Sequence, residues 1–176
     1  MKKIFKNYWF FVLVAGLIIL LDQWTKGLVR ANLAMGEIWS PWSWLSPYAR
    51  VVHWYNTGVA FGMFQDHGVL FTILNSFIAG FILIFFPRLS ENDWFLKVAL
   101  SMQFGGAVGN LIDRMTIGHV TDFVSIGNFA VFNVADASVT VGVAVMIIGL
   151  WIQEKREKER KAPMDENQHL DSKPGI

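Results

Sequence analysis

The sequence predicts a mainly α-helical integral membrane protein with four membrane-spanning helices. Its composition, four long apolar stretches and the placement of its basic residues all lead there. Of 176 residues, 53% are hydrophobic and 15% aromatic, while only 16% are charged, which lies outside the usual range for a soluble domain. The stretches approach the ~20 apolar residues that a helix rising 1.5 Å per residue needs to cross a hydrocarbon core ~30 Å thick. Lys and Arg gather toward the two ends of the chain, and no basic face of the kind nucleic acid requires is visible. Nucleic acid is excluded as a partner on that ground. The chain has no cysteine, which removes disulfides, thiolate catalysis and thiolate metal sites.

Taken in order, the first span is expected over residues 8–24, after Lys2, Lys3 and Lys6. The second is expected over 68–86, the third over 94–112 and the fourth over 134–152, followed by Lys155, Arg156, Lys158, Arg160 and Lys161. The positive-inside rule then puts both ends in the cytoplasm, as an even number of spans requires. The long segment 28–67 and the shorter one 113–133 fall outside, and the turn 87–93 falls inside. Trp24, Trp39, Trp42, Trp44 and Trp54 cluster at or beyond the outer end of the first span, where indoles favour the headgroup level. The β-branched and aromatic run from Arg50 to Tyr55 suits a little sheet near the membrane surface. Residues 1–153 are expected to form one membrane domain. Residues 154–176 read as a charged cytoplasmic tail, a helix extension fraying into disorder.

The topology gathers polar residues at the outer face. Asp22 lies near the outer end of the first span. Asn110, Asp113 and Arg114 finish the third, Asn133 and Asp136 start the fourth, and Asp122 lies in the connection between those two. Ionisable groups beside hydrocarbon are costly, so each needs a partner or a function. Asp22 and Lys26 have the i, i+4 spacing of an intrahelical ion pair. Asp113 adjoins Arg114, which suits architecture better than proton shuttling. Asn133 and Asp136 are three apart at a helix start, the pattern of a capping box, and capping and catalysis both remain open for them. Asp122 and Asp136 are the two outer-face acids without a local basic partner. Brought together they would share one proton, the arrangement that aspartyl proteases use.

Other chemistries are poorly supplied. There is no His-Glu-x-x-His pattern, and His119 with Asp122 is too few ligands for a metal. Ser125 lacks a Gly-x-Ser-x-Gly elbow. An ion-coupled transporter would place its carboxylates near the bilayer midplane rather than at one face. Gly105, Gly106 and Gly109 have the small-residue spacing that lets helices approach closely in lipid. Asn75 lies deeper in the second span with no identified partner or function.

Five motifs, in order, carry a resemblance. They are Asp22 with Lys26; Asn56-Thr57-Gly58-Val59-Ala60-Phe61; the run from Gly105 through Asn110 to Asp113-Arg114; Val120-Thr121-Asp122-Phe123; and Phe132-Asn133-Val134-Ala135-Asp136. Together they resemble bacterial lipoprotein signal peptidase (signal peptidase II), from the first span to the fourth. The resemblance implies a four-helix membrane aspartyl endopeptidase whose outer segment forms a small β-rich cradle with a short surface helix. It implies removal of signal peptides from diacylglyceryl-modified prolipoproteins, with the cut just before the lipidated cysteine. Carried onto this chain, it makes Asp122 and Asp136 the catalytic pair. Asp22, Lys26, Asn56, Gly58, Asn110, Asp113, Arg114 and Asn133 then shape the pocket or bind substrate. No cofactor or metal is expected, and the enzyme is expected to act as a monomer in the bacterial plasma membrane, among lipids, with its site near the outer leaflet.

Overall fold

The computed structural model describes residues 2–57, 68–90 and 93–171. In chain order they form α1 (Lys2–Asn32), β1 (Ile38–Trp39), β2 (Ala49–Asn56), α2 (Gly68–Phe85), α3 (Trp94–Ile117), β3 (Val120–Ile126) and α4 (Val134–Asp171). Four stretches within the helices are long and apolar enough to cross a bilayer: Tyr8–Asn32, Gly68–Arg88, Trp94–Ile117 and Val134–Glu159. Their outward faces carry large bare side chains, among them Leu20 and Phe77, about 70% exposed, as a surface bathed in lipid tails allows.

Each expected span lies within one of these four stretches, but α1 does not stop near residue 24. It runs on to Asn32 because Asp22, Lys26 and Arg30 fall four apart on one face, and that face meets polar partners on α3. Buried ion pairs hold the extra two turns. α3 likewise continues to Ile117 and is closed by Gly118 at φ 81°, the left-handed conformation that glycine adopts without strain. α4 carries helix past residue 152 to Asp171, with Glu154 and Lys158 paired at 2.6 Å on its exposed face.

α3 is the hub on which α1, α2 and α4 pack. Its glycines make that possible. A Cβ built on Gly106 would lie 2.5 Å from the Ala135 carbonyl oxygen, and one on Gly109 would lie 2.7 Å from Asp22 Oδ2. At the end of the bundle away from the sheet, Phe11, Ile82, Phe86 and Leu89 form the apolar core, with Phe11 against the Phe86 ring at 4.5 Å and the Phe104 ring at 4.8 Å. α2 packs on α3 rather than on α4, which leaves a cavity between α2 and α4.

The other end of the bundle is covered by an antiparallel sheet in the order β1-β2-β3. The expected strand around 50–55 is β2. The segment after α3, expected as a simple connection, contributes β3. Its run of β-branched and aromatic residues pairs with β2 in the register Trp54 to Asp122, Tyr55 to Thr121 and Asn56 to Val120, so Asp122 sits in a strand rather than in a loop. Between β1 and β2 the chain makes turns that display Trp42 and Trp44, stacked at 5.9 Å. The short surface helix expected of this segment is not among the described residues. Gly58 and the rest of its motif, Val59 to Phe61, lie outside them.

Candidate active site

Asp122 and Asp136 reach the same site from different elements, and two carboxamides fix them there. The Asn133 Nδ2 amide donates to Asp122 Oδ1 at 2.7 Å and to Asn110 Oδ1 at 3.1 Å. Asn110 Nδ2 donates to Asp136 Oδ1 at 2.7 Å. Asn56 Nδ2, from the end of β2, donates to the second oxygen of Asp122 at 3.0 Å. Each carboxylate is thus oriented by an asparagine, and the two asparagines are bonded to each other.

The helix start adds a further constraint. The Asp136 N–H donates to Asn133 Oδ1 at 2.9 Å, and the Asn133 N–H points back to Asp136 Oδ2 at 3.4 Å. This is the reciprocal pattern of a capping box. Capping and site formation, alternatives in the sequence, are met by the same two residues: Asn133 caps with its oxygen and holds Asp122 with its nitrogen. A short hairpin joins β3 to α4, because Val124 and Phe132 exchange backbone bonds of 2.8 and 3.0 Å.

Asp122 is almost fully buried, at 1% exposure. Burial pushes its carboxyl up to about 7, and the neighbouring charge of Asp136 adds to the effect. The amides of Asn56 and Asn133 and the charge of Lys26 act the other way. A carboxyl poised near neutrality beside a second acid suits proton exchange with a substrate.

Beneath the pair lies a charge-balanced network. Lys26 Nζ, fully buried, sits 2.8 Å from Asp22 Oδ2 and 3.1 Å from Asp113 Oδ2, and donates to Asn110 Oδ1 at 2.9 Å. The last bond sets which end of the Asn110 amide faces Asp136. Asp22 accepts the Ala135 N–H at 2.9 Å, tying α1 to the start of α4. Asp113 accepts the Thr121 N–H at 3.0 Å, fastening β3 beside Asp122. The expected Asp22–Lys26 pair therefore forms, but it spans helices as well as a helical turn.

Two contributors were missed. Arg30 bonds Asp113 Oδ1 at 3.3 Å and Thr121 Oγ1 at 3.0 Å. Gln23 Nε2 reaches the Gly109 carbonyl at 3.0 Å and Asp22 at 3.1 Å. Arg30 was detectable, since it continues the i, i+4 series of Asp22 and Lys26. Gln23 carries no such signal.

Asp113 pairs with Lys26 and Arg30, whereas its neighbour in sequence, Arg114, turns to the cavity. There the guanidinium lies 5.8 Å from the centre of the Phe71 ring and within electrostatic range of Asp136 and Asp122. The cavity, about 740 Å³, runs from Asn56, Asn110 and Asp136 down between α2, α3 and α4 to Ile78, Gln103 and Val143. Its volume is that of a ligand pocket. Ser125, His119 and His53 have partners other than the acids: Ser125 accepts from Arg50 Nε at 3.3 Å, His119 packs edge-on to Tyr55, and His53 Nδ1 bonds the Leu33 carbonyl at 2.8 Å.

Comparison with known proteins supplies the family. Residues 14–152 match the family model described as signal peptidase (SPase) II. The lipoprotein signal peptidase of Shouchella clausii is 36% identical over 150 residues, 83% of this chain and 95% of the relative. That of Anoxybacillus flavithermus is 37% identical over 152 residues, 84% of this chain and 89% of the relative. A bacterial membrane enzyme solved by the in meso method at 2.3 Å resolution superposes with a TM-score of 0.77 at 30% identity, covering 85% of this chain and 92% of that one. With its four spans, its small sheet and two acids joined through bonded asparagines, one of them lining a cavity, this multi-pass membrane protein belongs to the signal peptidase II family of aspartic peptidases.

Proposed function

We propose that Asp122 and Asp136 are the catalytic pair with which this chain removes signal peptides from prolipoproteins, cutting just before a diacylglyceryl-modified cysteine. The observation that carries the reading is the amide bridge: Asn133 on Asp122, Asn110 on Asp136, and Asn133 on Asn110. It holds two carboxylates at one point with few ways to move. The pair keeps one proton, which belongs to both acids. The ionised member takes a proton from water as the oxygen attacks the scissile carbonyl carbon, and the protonated member passes its proton to the carbonyl oxygen. In the collapse of the tetrahedral diol, one carboxylate recovers a proton from a hydroxyl and the other acid protonates the departing nitrogen. The products are the signal peptide's new carboxylic acid, which gives its proton to water, and the free amino group of the lipidated cysteine, and the pair is left with one proton.

The remaining residues serve this step by position. Lys26 orients Asn110, Asp22 and Asp113 anchor the elements that carry the two acids, and Arg114 offsets the charge left on the pair. Gly58 is assigned to the substrate side on the strength of its motif. In the orientation set by the terminal lysines and arginines, both ends of the chain and the tail 154–176 are cytoplasmic, and the pair faces the outer leaflet. A diacylglyceryl anchor would then hold the scissile bond at headgroup level, which lowers the entropic cost of reaching attack geometry. A single chain contains every group invoked, so the enzyme acts as a monomer among lipids.

The test is cleavage of a diacylglyceryl-modified precursor by purified protein in detergent. Wild type is to be compared with Asp122→Asn and Asp136→Asn, with folding followed by melting. Loss of cleavage in both folded variants is expected, together with poor cutting of unlipidated precursor. Normal turnover by either variant removes the pair from the mechanism.

A further inference from the structure

Two polar side chains of the cavity have no part in holding the acids. Asn75, on α2, and Gln103, on α3, both line it. Among the described residues Asn75 makes no side-chain hydrogen bond, and Gln103 has only a 3.9 Å contact from Nε2 to Met146 Sδ, a weak acceptor. Both are half-buried and lie within membrane spans, where lipid tails offer no hydrogen bond and each unmet polar group is costly. Two unspent carboxamides on one cavity wall mark a place where polar atoms of a ligand are received.

Their depth identifies those atoms. Gln103 precedes Asn110 by seven helical residues, about 10 Å below the pair along α3. Asn75 lies one turn, about 6 Å, inward of Phe71, whose ring meets Arg114. The apolar region of a signal peptide holds roughly 7–15 residues, so as a helix it reaches at most about 22 Å across a core of about 30 Å. Entering from the cytoplasmic side, it ends inside the hydrocarbon. Its last four carbonyls have no intrahelical donor and find no water there.

We propose that Asn75 and Gln103 donate hydrogen bonds to carbonyl oxygens at the C-terminal end of the bound signal helix, where the chain becomes extended on its way to the acids. This rests on the peptidase reading above. The amides act as a cap supplied by the enzyme, and they select precursors whose helix ends at that depth. The ester carbonyls of the diacylglyceryl group offer the same acceptor chemistry from another source, so the experiment must separate the two.

KM and kcat are measured in detergent for Asn75→Leu, Gln103→Leu and the double variant, with melting alongside. Each single variant is expected to raise KM about 3- to 10-fold, leave kcat within about twofold and leave the melting temperature unchanged or raised, since at most the weak Gln103–Met146 contact is lost. The KM rise should persist with a dialkyl-ether precursor that lacks ester carbonyls. It should shrink toward unity with a precursor whose apolar region is extended to ~20 residues, so that its end reaches water. An unchanged KM, or a fall in melting temperature that accounts for the loss, overturns the proposal. So does an effect that vanishes with the ether substrate or ignores helix length. Asp136→Asn runs in the same assay: if that variant cleaves, the catalytic pair fails whatever the amides do, and if it is dead while the leucine variants match wild type, only the cap fails.

Discussion

Replacing Asp122 by Asn is expected to abolish cleavage and yet make the protein more stable at pH 8. The carboxyl has an ordinary value of 3.8 and is pushed up to about 7 in the fold, chiefly by burial and then by Asp136. Above pH 7 both folded and unfolded chains carry it ionised, and the fold bears the whole cost. At ~1.4 kcal/mol per tenfold change in proton affinity, that cost is at most ~4 kcal/mol. Between pH 4 and 7 the folded chain binds the extra proton, so stability rises as pH falls through this window and levels off below it. An asparagine never ionises, but it turns an N–H toward Asn56 Nδ2 or Asn133 Nδ2, both donors. Leaving one buried donor unmet costs ~1–3 kcal/mol. The net gain at pH 8 is ~1–3 kcal/mol, and it shrinks by ~2–3 kcal/mol at pH 5, where the parent has taken up its proton. Thermal melting of both proteins in one detergent at pH 5 and pH 8 measures the difference, at roughly 2–4 °C per kcal/mol for a chain of this size. A variant less stable than its parent at pH 8, or an equal gap at both pH values, would refute the reasoning.

Other expectations can be checked with the same preparation. Because catalysis needs one proton on the pair, turnover of a lipidated precursor should decline as pH rises above about 7, and a rate still climbing at pH 9 contradicts the assigned Asp122 value. Lys26→Met leaves Asp22 without its buried cation and Asp113 with Arg30 alone, and should cost ~3–5 kcal/mol, seen as a lower melting temperature with loss of activity. Gly106→Ala forces a methyl against the Ala135 carbonyl at 2.5 Å and should disrupt packing of α3 on α4, whereas Gly80→Ala, with nothing within 4 Å, should be neutral or add ~0.5–1 kcal/mol. The chain has no cysteine, so single Trp42→Cys and Lys155→Cys variants can be labelled in intact cells with a reagent that does not cross membranes. Label is expected at position 42 alone, and the reverse pattern inverts the topology.

The sequence made the spans readable because hydrocarbon admits only apolar helices, and the acids stood out because charge beside lipid needs a reason. The Asn133-Val134-Ala135-Asp136 run showed its cap through spacing alone. What it hid was combination. Nothing local distinguishes an asparagine that caps from one that also holds Asp122 from below, since the second role depends on β3 arriving alongside. β3 itself was obscured because its pairing partner lies more than sixty positions earlier and strand formation depends on such neighbours. α1 looked shorter than it is because Lys26 and Arg30 read as the end of an apolar run. Asp113, from another helix, adds to Asp22 the counter-charge that makes their burial tolerable.

The hairpin between β3 and α4 has one more consequence, for how the chain can be divided. Asn133 and Asp122 are 11 positions apart, so little chain must be ordered to join them, while Lys26 and Asn110 meet across 84 positions. Both acids and both bridging amides lie on the stretch from Trp94 onward; the stretch before it brings in the buried lysine, on α1, and the donor Asn56, at the end of β2. The molecule is thus made of a reactive half and a neutralising half that recognise each other through side chains. A break in the turn between α2 and α3 would leave two complementary pieces, neither with a complete site and each carrying the surface that the other needs.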